Sequence, residues 1–189
     1  MNKRPIVPDQ LETERLLIRA PKLDDVPALY EAVMESVSEL QPWMPWATPD
    51  YTLESCETTL RQAIAKYIIQ EDFRMSFFDK QTGRLMGNSG LHRIDWSVPR
   101  FEIGYWCRNS ETGKGYVTEA ARGLSKLCFE QLGAARVEIC CDDLNLKSAA
   151  VAQRCGYILE GVMKYDERNT KGELRSTRIY ALTNIKDLK

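Results

Sequence analysis

Histidine is what this chain has least of: one, His92, in 189 residues. A zinc site, or a Ser-His or Cys-His dyad, would have to be built around that ring, and no other ligand or nucleophile is spaced for it. No apolar run approaches the length of a membrane span. The N-terminal ten residues are basic at their start but lack the apolar segment of a leader peptide. Charge of one sign is also missing. With a net charge of -1 and a pI near 6.0, nothing electrostatic points to a nucleic-acid or membrane partner. Repeats, low-complexity tracts and long linkers are absent. Six cysteines are present, but Cys56, Cys107, Cys128, Cys140, Cys141 and Cys155 fall into no metal-ligand spacing, and two are adjacent. They read as small core hydrophobes in a reducing compartment, so a cytoplasmic protein without a metal is expected. The 43% apolar and 28% charged content fits one ordinary domain, 1–189, with a core of its own.

The most informative stretch is 101–130. Residues 101–107 are aromatic, β-branched or apolar around Gly104, as in a strand with a close backbone approach. Asn109 and Ser110 then turn the chain into Gly113-Lys114-Gly115. After Val117 the period changes: Ala120, Ala121, Leu124, Leu127, Cys128 and Leu132 recur at three- and four-residue steps, one face of a helix. A glycine-lined helix entry offers unpaired N–H groups and the positive end of the macrodipole, which suits an anion, a pyrophosphate above all. Lys114 adds charge and Thr118 a hydroxyl. The same residues would also serve as a plain turn and helix entry. They form neither a P-loop nor the three-glycine dinucleotide fingerprint.

Residues 112–120, Thr-Gly-Lys-Gly-Tyr-Val-Thr-Glu-Ala, resemble the acetyl-CoA pyrophosphate loop of the GNAT superfamily of N-acetyltransferases. Thr112 stands where the family pattern has Arg or Gln, and Val117 where it has a small residue. The continuation after Gly115 is most similar to the ribosomal-protein N-terminal acetyltransferases of the RimJ/RimL type. The remaining elements agree. A strand over 11–19 precedes a helix from about 25 to 40 capped by Asp24. A rigid loop, 41–50, holds three prolines with Trp43 and Trp46. A second helix starts at Thr52 and runs to about 70. Strands follow at 73–78, 84–94 and 101–107. The strand at 135–141, linked to its predecessor by a helix, should run parallel to it. A short helix, 148–154, and strands at 157–160 and 173–182 close the chain. The expected fold is α+β, a central mixed, mostly antiparallel sheet flanked by helices, as in the acyl-CoA N-acyltransferases.

The resemblance implies acetyl-CoA as co-substrate and direct attack of a primary amine on the thioester. It implies cofactor contacts from the backbone of Tyr105, Trp106 and Cys107, from Thr112, Gly113, Lys114, Gly115, Tyr116, Val117 and Thr118, and from Asn145 toward the pantetheine arm. Glu102, within an otherwise apolar strand, either faces solvent or serves as the base; burial would raise its pKa, and the resemblance implies the base. Asn145 and Ser148 have the spacing of a helix cap. Followed by Gly156-Tyr157, they also match the second family signature, which implies Ser148 as proton donor to the departing thiolate. Trp43 and Trp46 either pack a loop corner or line an acceptor groove, which a second copy of the chain could complete. His92 is structural or touches the acceptor, and Tyr165, Asp166 and Glu167 read as a solvated loop before the last strand or as a contact with the acceptor. The implied acceptor is a protein N-terminus; a small amine (polyamine, amino acid or aminoglycoside) and a CoA-binding module without turnover are the alternatives.

Overall fold

The computed structural model describes residues 4–189; residues 1–3 of the basic N-terminal stretch lie outside them. Short alternating segments build an eight-stranded sheet. Its strands are β1 (Gln10–Glu12), β2 (Leu16–Arg19), β3 (Phe73–Asp79), β4 (Leu85–Asp95), β5 (Arg100–Cys107), β6 (Arg136–Asp142), β7 (Ile158–Arg168) and β8 (Leu174–Leu182), in the spatial order β1-β2-β3-β4-β5-β6-β8-β7. Neighbours are antiparallel except β5 and β6, which run parallel as their helical connection requires. The 11–19 segment is a hairpin, not one strand. The Thr13 N–H reaches the Leu16 carbonyl at 2.9 Å, and the Thr13 hydroxyl accepts the Leu16 N–H at 3.1 Å, which folds the chain back on itself.

Among the described residues four helices cover the sheet: α1 (Val26–Leu40), α2 (Leu53–Ile68), α3 (Tyr116–Glu130) and α4 (Leu146–Arg154). Asp24 does not cap α1. A 3-10 turn at Leu23–Asp25 comes first, and it is the Asp25 carboxylate that accepts the Lys22 N–H at 2.8 Å and pairs with both terminal nitrogens of Arg19. Thr52 does cap α2, exchanging hydrogen bonds with Ser55. Strand alternation divides the core between the two faces. Phe77 packs into the cluster with Leu124 and Leu127 of α3, whereas its neighbour Phe78 joins Leu29 and Val33 of α1 and Leu60 of α2.

Two irregularities position the site. The first is between β5 and β6, whose register extends only through Arg100↔Arg136, Phe101↔Val137 and Glu102↔Glu138, although both strands continue. Beyond Glu102 they splay apart. The second is in β7, which the polar sequence at 165–167 disguises as a loop. The strand persists to Arg168, but its pairing with β8 jumps from Met163↔Thr177 to Glu167↔Arg175, so residues 164–166 stand against Ser176 alone. At this bulge Tyr165 takes φ 54°, and its N–H is held by the Ser176 hydroxyl at 3.1 Å.

Candidate active site

The splay between β5 and β6 opens a cleft of about 1220 Å³, floored by residues 102–107 of β5 and 139–142 of β6. One wall is the loop entering α3, and the other is α4 with the end of the β7–β8 hairpin. The backbone chemistry of the floor follows from register. The Arg108 N–H donates to Met86 of β4 at 2.7 Å, and Ser89 Oγ donates to the Gly104 carbonyl from that same side. Period-two alternation therefore turns the N–H groups of Tyr105 and Cys107 toward β6, past the point where pairing ends. Two strand amides thus face the cleft, while Trp106 turns its own toward β4.

The loop at the cleft mouth is shaped by glycine. Gly113 and Gly115 take φ 78° and 84°, and Gly115 is the N-cap residue of α3, so the free N–H groups of the first helical turn point at the cleft. Thr112, Lys114, Tyr116, Val117 and Thr118 line the same mouth. The Lys114 ammonium is drawn to Glu111 at 2.8 Å, so it does not stand as an isolated charge. Arg15, from the β1–β2 hairpin, holds the loop from behind. Its Nη1 donates to the Lys114 carbonyl at 3.0 Å, its Nε to Glu119 at 2.6 Å, and its guanidinium lies 4.4 Å from the centre of the Tyr116 ring.

On the α4 side, Asn145 is the N-cap, its Oδ1 accepting the Ser148 N–H at 3.0 Å. Ser148 lines the cleft and its hydroxyl meets the Tyr105 phenol at 3.0 Å. Cysteines 107, 140 and 141 also line it. Burial pushes the thiols of Cys107 and Cys140 up to about 12 and that of Cys141 above its ordinary value; for Cys140 the neighbouring Glu102 and Glu138 add to the effect. All three thiols keep their protons near neutrality, so none offers the thiolate that an acyl-cysteine route needs.

Glu102 lies at the head of the splay, its side chain 16% exposed and 3.3 Å from Arg93. Glu102, Glu138 and Cys140 bring one polar atom each within 4.8 Å of one another. Arg93 and Arg136 engage the two carboxylates, giving an ion-pair network across the strands. Of the proposed acceptor residues, Trp43 lines the cleft and is 40% exposed. Trp46 instead packs on Tyr51 and Trp106, with ring centres near 6.1 Å from each. His92 pairs with Asp72 through Nδ1 at 2.7 Å and packs over Gly104, on the face of the sheet that it shares with its ladder partner Glu102, outside the residues that line the cleft. Of the two readings of 165–167, the structure puts Glu167 at the cleft: it follows the β7 bulge, lines the opening and is bonded to Arg175. Its signal in the sequence is slight, because a bulge is defined by the partner strand and not by its own residues.

Comparison with known proteins matches residues 15–158 to the acetyltransferase (GNAT) domain family. The candidate ribosomal N-acetyltransferase YdaF of Bacillus subtilis (strain 168) is 32% identical over 156 residues, 78% of this chain and 80% of that protein. The ribosomal-protein-serine acetyltransferase of Escherichia coli (strain K12) is 27% identical over 155 residues, 82% and 86% of the two chains. Among solved structures, RimL, a ribosomal L7/L12 alpha-N-protein acetyltransferase in complex with coenzyme A, shares the fold with a TM-score of 0.84 at 24% identity, over 95% of this chain and 98% of that one. MccE, a microcin C7 self-immunity acetyltransferase in complex with acetyl-CoA and AMP, shares it with a TM-score of 0.86 at 23% identity, over 95% and 99%.

Proposed function

Because the chain belongs to the GNAT acetyltransferase family and is an N-acetyltransferase, we propose that it carries acetyl from acetyl-CoA directly to the α-amine of a protein N-terminus. The observation that carries this reading is the splay: two strand amides, a glycine-shaped helix entry and the Ser148 hydroxyl converge on one cleft. The Gly113–Thr118 backbone takes the pyrophosphate, with Thr112 beside it. The pantetheine arm lies between β5 and β6 and is met by Asn145. The Tyr105 and Cys107 amides polarise the thioester carbonyl, which gains negative charge as the amine adds. A carboxylate receives the amine's proton and Ser148 supplies one to the departing sulfur. Burial disfavours the thiolate at the cleft cysteines, which supports transfer in one encounter over an acyl-cysteine route.

Glu102 is the proposed base, since it stands at the head of the splay beside the floor amides. Glu167 is the one alternative that an observation favours, because a strained bulge aims it into the same cleft. The acceptor reading is supported by two relatives, one described as a ribosomal-protein-serine acetyltransferase and the other as a candidate ribosomal N-acetyltransferase, and by Trp43, whose exposed ring offers apolar area at the cleft rim. The test is release of free CoA thiol across a panel of Ser- and Ala-starting peptides, spermidine, lysine and kanamycin, with the product located by mass spectrometry. Acetylation of the peptide α-amine is expected; turnover of a small amine alone would overturn the acceptor. In the same assay Glu102→Gln should lose about 100-fold or more in kcat, with the deficit shrinking at high pH where the amine is already neutral. A parental rate in Glu102→Gln together with that loss in Glu167→Gln would transfer the base to Glu167.

A further inference from the structure

The Tyr105 phenol has a geometry that binding through its backbone does not explain. Its oxygen lies 3.1 Å from the Ser148 carbonyl and 3.0 Å from the Ser148 hydroxyl. Tyrosine carries a single phenolic hydrogen, which serves one of those acceptors at a time. Given to the carbonyl, it leaves the phenol oxygen to accept the serine proton, turning that proton away from the cleft. Given to the hydroxyl oxygen, it frees the serine proton to point at whatever lies between β5 and β6. Burial holds the phenol above its ordinary pKa, so it keeps its hydrogen throughout the working range. Tyr105 can thus direct a proton but is a poor source of one. The Ser148 backbone is fixed independently through its N–H to Asn145, which leaves the hydroxyl rotor as the free variable.

We infer that Tyr105 is a positioning residue for leaving-group protonation, its phenol turning the Ser148 proton toward the departing sulfur. The inference rests on the reading of Ser148 as proton donor. In the step, the amine nitrogen bonds to the acetyl carbon, the C–S bond breaks with its electron pair going to sulfur, and the Ser148 proton passes to that sulfur. The Tyr105 hydrogen moves its bond from the Ser148 carbonyl to the Ser148 oxygen as negative charge appears there. The amine's surplus proton goes to the carboxylate base and passes from there, through solvent, to the serine oxygen, which restores both groups.

The experiment is a double-mutant cycle on the full chain with the best acceptor of the panel, measuring kcat, acetyl-CoA Kd and melting temperature for Tyr105→Phe, Ser148→Ala and the pair. Phe keeps the ring and its packing, so Kd within about twofold and a near-parental melting temperature are expected. We expect kcat to fall about tenfold in Tyr105→Phe and further in Ser148→Ala, with the double variant no slower than Ser148→Ala alone. A parental kcat in Tyr105→Phe, or losses that multiply in the pair, overturns the positioning role while leaving Ser148 as donor. A parental kcat in Ser148→Ala removes the donor and the positioning role together. Should Tyr105→Phe melt far below the parent, fluorotyrosine at position 105, which keeps the hydroxyl but makes it a stronger donor, replaces it. A kcat that follows the phenol's acidity in the parent background and not with Ser148→Ala supports the role, and a kcat indifferent to acidity overturns it.

Discussion

Arg108 shows what a single residue can conceal. At the end of β5 it is 1% exposed, although arginine is among the residues least often buried. Its Nε donates to the Leu85 carbonyl at 3.1 Å, and its Nη1 is shared by Glu31 at 2.6 Å and Glu35 at 2.8 Å. The ion group pins α1 to the strand that forms the cleft floor. Replacing Arg108 by Ala removes the shared cation, leaving Glu31 to solvent and Glu35 to Arg84, and opens a void, so urea unfolding should show a loss of about 2–3 kcal/mol. An unchanged midpoint would mean that α1 is held by its apolar face alone. Nothing near Arg108 in the chain announces this, because its partners lie 77 and 73 positions away. By contrast Gly113 and Gly115 are legible on sight, since a left-handed backbone demands glycine locally. Glu102 and Glu167 fall between: the residue type is visible, but that both come to the cleft depends on the paths of their strands.

At the scale of elements, the helix after Gly115 and the strand before it are legible because their periods are local, and the single parallel pairing follows from the helix that links β5 to β6. The extent of β7 is not, since its outer half is polar and its pairing is read only against β8. The joint between the β1–β2 hairpin and α3 is equally hidden. Glu119 accepts from the Thr13 hydroxyl at 2.5 Å and from the Arg15 backbone at 2.7 Å, and it pairs with the guanidinium that holds the Lys114 carbonyl. Burial pushes this carboxyl up, but the bonds from Thr13 and Arg15 outweigh it and hold the group below its ordinary value of 4.5. A depressed carboxyl stabilises fully above its unfolded pKa and loses that contribution as pH falls through the folded one. The stability gap between the parent and Glu119→Gln should therefore be constant above about pH 5 and shrink as pH falls below the carboxyl's ordinary value of 4.5 and through its lowered folded one. Arg15→Ala should raise the Kd for CoA about five- to tenfold by releasing the loop at its back. Equal affinity in calorimetry would mean that the glycines alone set the loop.

For the whole molecule, the two tryptophans of the 41–50 loop divide the labour, which the sequence could not decide because both sit in one proline-rich turn. Trp43 faces the cleft, whereas Trp46 ties that loop to Tyr51 and to Trp106 of the sheet. Trp43→Ala should raise the acceptor KM several-fold, about 1 kcal/mol of lost contact, at unchanged CoA affinity and melting temperature. Trp46→Ala should do the reverse, lowering the melting temperature by several degrees for a loss of about 1–2 kcal/mol. Steady-state kinetics and thermal unfolding on the same two variants check both. A KM effect from Trp46 and none from Trp43 would move the acceptor to the other side of the loop. The described residues contain no helix long and apolar enough to cross a membrane.

The short β5–β6 register has a consequence for anyone redesigning this chain. Three paired positions hold together strands of eight and seven residues. Each ladder bond left unmade forgoes about 1 kcal/mol of net stability. A stability-driven redesign would treat the splay as a defect and zip the strands together to their ends. The product would be a sturdier sheet with its cleft amides spent on itself, so selection for heat resistance alone would drift toward a protein that folds better and has closed its own cleft.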